Sequence, residues 1–184
     1  MIGVFWVWLV LVWGLGSASH FFYQWSGKNK WAGLLFANNE SVWEHSKLGF
    51  WPLCIALAAQ GIGQGAAWES VCCAAACATL CCIALTMGMF YTYTGALGIW
   101  SVLWADILIF LLAAAGGLAA GWNVLKAEAG HWMGVAGALL LAAEVACLIG
   151  WSVRPPKLPL FTDYSVGKKR EPAGEKAPLG KGKN

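Results

Sequence analysis

The sequence predicts an all-α, polytopic membrane protein: a bundle of five transmembrane helices, N-terminus outside and C-terminus cytoplasmic. Three observations predict it. Five apolar stretches, each long enough to cross a bilayer, fill the chain as far as Val153. Charged residues are only 11% of the chain against 59% hydrophobic, more apolar surface than a water-soluble core of 184 residues can hide. Eight of the 12 Lys and Arg residues follow Val153. The expected first partner is therefore the lipid bilayer, and nothing points to nucleic acid.

A membrane helix needs ~20 apolar residues to cross ~30 Å of hydrocarbon. The stretches cover residues 2–24, 41–61, 68–90, 98–121 and 131–153. They are continuous and rich in Ala and Leu, unlike the alternating strands of a membrane barrel. The first resembles a secretory signal in its small residues at 16–19, but residues 1–19 carry no Lys or Arg and the apolar run continues past them. It is read as a span. The connections are expected at residues 25–40, at Gly61, Gly63 and Gly65, at residues 91–97 and at residues 122–130. Gly117/Gly121 and Gly130/Gly134 have the small-xxx-small spacing that lets helices approach closely. Trp25, Trp43, Trp100 and Trp151 fall near one set of span ends, and Trp6, Trp68, Trp122 and Trp132 near the other, as in an aromatic belt. Residues 1–160 are expected to form the transmembrane domain and residues 161–184 a basic, disordered cytoplasmic tail, too polar to pack.

Orientation follows from the cations. The side holding the 25–40 connection and the tail carries Lys28, Lys30, Lys47 and eight tail cations; the other carries Lys126 alone. Positive charge collects on the cytoplasmic side, so the protein is expected in the bacterial inner membrane with its tail inside.

Of the seven cysteines, five lie in the third stretch. None forms a loop pair with metal-ligand spacing, and Cys otherwise behaves as a small hydrophobe. They are read as packing residues.

Ionisable groups in a bilayer are costly and mark candidate sites. Asp106 is placed ~12 Å above the inner end of the fourth span and Glu144 ~13 Å above that of the fifth, a shared depth. Glu144 is read as a packing acid bonded to a Tyr, Thr or Trp. The richest segment is Ala37-Asn-Asn-Glu-Ser-Val-Trp-Glu-His-Ser-Lys47. Ser41-x-x-Glu44 reads as a capping box, with Asn38 or Asn39 as alternative caps. Capping leaves Glu40, His45 and Lys47 unexplained. His20 falls at the same inner end, whereas His131 falls at the outer end and is read as interfacial.

Four motifs, His20-Phe-x-Tyr-x-Trp-Ser26, Asn39-Glu-Ser-x-Trp-Glu-His-x-Lys47, Tyr91-Thr-Tyr-Thr-Gly95 with Asp106-Ile, and Pro155-Pro-x-x-Pro-Leu-Phe-x-Asp163, resemble those of an uncharacterised family of small bacterial integral membrane proteins, a domain of unknown function of the DUF6512 type. The resemblance covers residues 16–163 and implies a polytopic membrane protein without an established activity. Tyr164 departs from it, standing where the family has Pro. A narrower likeness is to membrane hydrolases of the alkaline ceramidase type: Ser41-x-x-x-His45 and Asp106 fit their zinc-site spacing, but the paired His-x-x-x-His is absent.

Three functions compete. In a metal-dependent membrane enzyme, His20, His45 and Asp106 would ligate a divalent transition metal (zinc, iron or manganese) together with one of Glu40 or Glu44. The other Glu would be the general base, and Lys47 with the basic inner surface would favour an anionic, lipid-like substrate. Glu44, Glu40 and Lys47 are thus the expected catalytic residues. In a proton-coupled transporter, Asp106 and Glu144 would form the relay. In a non-catalytic scaffold, the polar cluster would tie helices together and the basic tail would dock a membrane or cytoplasmic protein partner.

Overall fold

Each apolar stretch becomes a long helix. The computed structural model describes residues 2–99, 101–127 and 129–163. Among these residues it is all-helical: α1 (Ile2–Trp25), α2 (Lys30–Leu35), α3 (Val42–Gln64), α4 (Trp68–Leu97), α5 (Leu103–Lys126), α6 (His131–Val153) and a 3-10 turn, Pro159–Phe161. Four of them, α1, α4, α5 and α6, are long and apolar enough to cross a membrane. The fifth long helix, α3, has 23 residues but opens with Glu44, His45 and Lys47 in its first two turns.

The position of α3 explains its composition. It packs against α1, α4, α5 and α6 and buries more of its residues than any other helix. A helix enclosed by protein needs no uniformly apolar outer face. It also runs unbroken through Pro52, which cannot bond the carbonyl of Leu48 one turn back. Gly16 of α1 fits against that carbonyl: a Cβ there would lie 2.6 Å from its oxygen.

Short connections make consecutive long helices antiparallel, and the contacts fix the register. Gly117 and Gly121 of α5 lie against α4, where added Cβ atoms would come within 2.6 Å of the Ala78 carbonyl and 2.9 Å of that of Ala74. α6 runs parallel to α4, with Gly134 and Gly137 pressed on the backbone at Glu69 and Cys73. The four-residue spacing of Gly117 and Gly121 thus brings α5 onto the backbone of α4. Of the second pair only Gly134 makes a close approach, because Gly130 caps the helix in open space. Small residues matter here because, in lipid, packing rather than the hydrophobic effect brings helices together. The core runs through Leu53, Leu57, Ala74, Ala78, Ala113 and Leu118. All seven cysteines are free, and Cys82 is buried in the core between Gly49 and Gly117.

Several boundaries differ from expectation. Residues 25–40 hold α2, a single helical segment capped by Asn29, whose side chain accepts from the Trp31 amide. α4 continues to Leu97, so residues 91–97 are helix; Thr92 and Thr94 bond the carbonyls of Gly88 and Phe90 and leave the ladder intact. Gly98, at φ +61°, ends it. α5 starts at Leu103, not Gly98, and continues past Gly121 to Lys126. Gly61 and Gly63 belong to α3, which ends at Gly65. Trp43 and Trp122, near the ends of α3 and α5, are buried against protein. Phe161 seats against Trp43 and Trp151, one residue beyond the expected end of the helical domain. Trp100 and the tail at residues 164–184 lie outside the described residues.

Candidate functional site

The polar segment before α3 is sorted by a cap. Ser41 is the N-cap, its hydroxyl accepting from the Glu44 amide at 3.2 Å, and its own amide donates to Asn39 Oδ1 at 2.9 Å. Asn38 and Asn39 are therefore not the cap, and Glu44 does not complete a capping box: its carboxylate accepts instead from the Asn38 amide at 3.2 Å. Glu40 precedes the helix, so it is not stacked one turn from Glu44 as a continuous helix would place it. From Glu44 to His45 the helix turns ~100°, sending the two side chains to different neighbours.

Glu44 and Lys47 form one group. Lys47 Nζ donates to Glu44 Oε2 at 2.8 Å, to the Gly33 carbonyl at 3.0 Å and to that of Phe36 at 3.5 Å. An ammonium has three protons, and all are used. Ser152 of α6 donates to Glu44 Oε1 at 2.5 Å. Both charged side chains are almost inaccessible, at 2% and 1%. The pair joins α2, α3 and α6. It holds no spare donor and has no face open to a ligand, so the expected catalytic residues Glu44 and Lys47 sit in a sealed tie.

His20, Glu40 and His45 form the other group. Glu40 Oε1 lies 3.5 Å from His20 Nε2 and Glu40 Oε2 lies 3.5 Å from His45 Nε2. The imidazole rings are 5.3 Å apart. One ligand atom from each of the three residues falls within 4.8 Å of the others. His45 Nδ1 stands 2.8 Å from the Ser41 carbonyl. A carbonyl only accepts, so Nδ1 donates to it and Nε2 is the ring nitrogen turned toward Glu40. That is how a carbonyl orients a metal-binding histidine. His20 Nδ1 is buried without a hydrogen-bond partner.

These residues open on a cavity of about 600 Å³ between α1, α3, α4 and α5. Its walls are mostly apolar, with Trp13, Phe21, Leu48, Phe90, Ile107 and Phe110. Asp106 lines it too, from the first turn of α5, and accepts from the Tyr93 hydroxyl at 2.5 Å; that hydroxyl in turn accepts from the Val102 amide at 3.1 Å. Of the three expected metal ligands, then, His20 and His45 meet, with Glu40 as the carboxylate between them. Asp106 shares the cavity and is outside the close group.

Asp106 and Glu144 do not share a depth. Glu144 accepts from Thr79 at 2.5 Å, whereas Asp106 meets Tyr93. Those partners are fourteen residues apart on α4, ~21 Å along its axis. A late start for α5 drops Asp106 toward the helix end. Glu144 pairs with a threonine in the packed interior. His131 lies at the far end of α6, 3.3 Å from Glu69. Ser152, on Glu44, and Ser17, on the cavity wall, have no mark in the sequence, because a serine in a helix carries no signal until its neighbour is known.

The model of a family described as a family of unknown function (DUF6512) matches residues 4–170 of the chain. No curated protein and no solved structure is significantly similar to it.

Proposed function

This chain belongs to the DUF6512 family of unknown function, a membership that carries no activity, and we propose from the chemistry of the site that it is a divalent-metal-dependent enzyme of the membrane. The observation that carries the proposal is the convergence of His20, Glu40 and His45 from α1, the α2–α3 connection and α3. Two ligand atoms each ~2.1 Å from a tetrahedral ion stand ~3.4 Å apart. Each imidazole Nε2 lies 3.5 Å from its own oxygen of Glu40, near one such edge, and one ligand atom from each of the three residues falls within 4.8 Å of the others. Two imidazoles and a carboxylate suit zinc, iron or manganese and leave a coordination position for water. A metal there supplies an acidified water or a polarised carbonyl. Asp106 is the residue of the facing wall suited to take up or return a proton, because Glu44 is committed to Lys47. The reaction class is metal-assisted hydrolysis of an amphiphile drawn from the bilayer.

The same reading takes α3 as a fifth span and sets the His20 end at the cytoplasmic face of the inner membrane, where Lys28 and Lys30 stand at the start of α2. Elemental analysis of the detergent-purified protein tests the proposal. One equivalent of a transition metal is expected in the wild type, and its loss in His45→Ala. Metal-free wild type that cannot be loaded contradicts it.

A second reading, a non-catalytic scaffold, is favoured by one observation: the Glu44–Lys47 tie links three helical elements without reference to any ligand. A soluble or membrane partner that co-purifies stoichiometrically, and is lost on removal of the basic tail, would select this reading.

A further inference from the structure

The cavity beside the histidines has a composition of its own. Among the described residues its titratable walls are His20, Glu40, His45 and Asp106, with no Lys or Arg. Lys47, the nearest buried cation in sequence, is turned away, with its ammonium held by Gly33, Phe36 and Glu44. A divalent ion at the histidines is offset by the two carboxylates, Glu40 and Asp106. With that ion already offset, a phosphate head would add uncompensated negative charge beside Glu40 and Asp106, where no Lys or Arg among the described residues meets it.

The cavity also has a mouth. Besides Glu40, three of its wall residues are well exposed, all apolar: Trp13 at 37%, Phe21 at 45% and Leu103 at 65%. They belong to α1 and α5, two of the helices apolar enough to cross a membrane. Between them Gly16 of α1 seats on the ring of Phe110, where a Cβ would overlap it. Past this contact, toward His20 on one helix and Asp106 on the other, the exposed Phe21 and Leu103 flank the cavity between two helices of membrane-spanning length. At about 600 Å³ the cavity lies in the range of small-molecule sites and has room for one acyl chain with a small head.

We infer that the cavity binds a single-chain amphiphile with an uncharged ester or amide head, entering laterally between α1 and α5, its head at His20, Glu40 and His45 and its chain along Trp13, Ile107 and Phe110. The placement of the head rests on the metal reading above; the placement of the chain does not. This replaces the anionic substrate that Lys47 suggested in the sequence, because Lys47 does not reach the cavity.

Photolabelling tests it. The full chain in nanodiscs is exposed to a monoacylglycerol bearing a diazirine in mid-chain, and labelled peptides are mapped. Labelling is expected on cavity-facing residues of α1 and α5, displaced by unlabelled monoacylglycerol and reduced by Thr86→Trp, which fills the cavity. Ser17→Phe serves if that variant does not fold, and displacement needs no variant. The matching lysophosphatidic acid probe is expected to label these residues about tenfold less. Labelling that is spread over the lipid-facing surface and not displaced, or an equal or stronger phosphate signal, overturns the inference. Metal content of the same samples separates the two readings. Displaceable labelling in metal-free protein upholds the chain site and removes the metal reading. Loaded metal without cavity labelling does the reverse.

Discussion

Two charged groups lie within one turn of each other at the start of α3 and have opposite character. Glu44 and Lys47 are sealed, and the ammonium has spent every proton. His20, Glu40 and His45 are half-open, and neither imidazole Nε2 comes closer than 3.5 Å to the carboxylate between them. A satisfied buried pair fixes structure, since removing one partner strands the other. An unsatisfied convergent set beside a cavity is what a binding site requires. Charge alone does not separate the two; burial and the count of unmet donors and acceptors do.

The sharpest way to break this contrast is at the sealed pair. Lys47→Met is expected to cost about 3–5 kcal/mol by stranding the Glu44 carboxylate, read as a shift in unfolding in mixed micelles. Adding Glu44→Gln should restore much of it. If Lys47→Met is as stable as wild type, the pair is not a tie. Ser152→Ala removes one charge-assisted bond to Glu44 and should cost about 2 kcal/mol in the same assay. A neutral result would mean that α6 is held to α3 by packing alone.

The open group should respond in the other currency. His45→Ala loses one hydrogen bond to Ser41, so its stability should fall by no more than ~1.5 kcal/mol, while bound metal disappears. A collapse of the fold instead would make His45 a structural residue. Asp106→Asn is expected to change stability least, because an amide still accepts from Tyr93, and to leave metal content intact. Its effect belongs to turnover, a loss of about 10²-fold or more once a substrate is in hand. Loss of metal in that variant would move Asp106 into the ligand set.

Much of the fold is legible in the sequence, and the reasons for the misses are local. Hydropathy locates all five long helices because a lipid-facing or core helix writes its apolar run directly into the chain. It misses α2, six residues long, because one and a half turns hold no periodicity; the Asn29 cap is its only mark. It ends α4 early because Tyr91-Thr-Tyr-Thr looks like a polar turn, yet threonines that bond back to their own helix satisfy themselves without leaving it. That error carries Asp106 with it, from helix interior to first turn. For the site, residue types bring His20 and His45 together correctly. They cannot divide Glu40 from Glu44, because the division depends on which residue caps the helix. Nor can they say that Lys47 faces inward, since its three acceptors include two backbone carbonyls, which have no sequence signature.

The central claim is that one of these neighbouring groups is a tie and the other a metal site. Cobalt(II) titration of metal-stripped protein, followed by visible ligand-field absorption, tests it most directly. The account predicts saturation at one ion per chain in the wild type, retained in Asp106→Asn and abolished in His20→Gln with the fold intact. No spectrum in the wild type, or an unchanged one in His20→Gln, would contradict it.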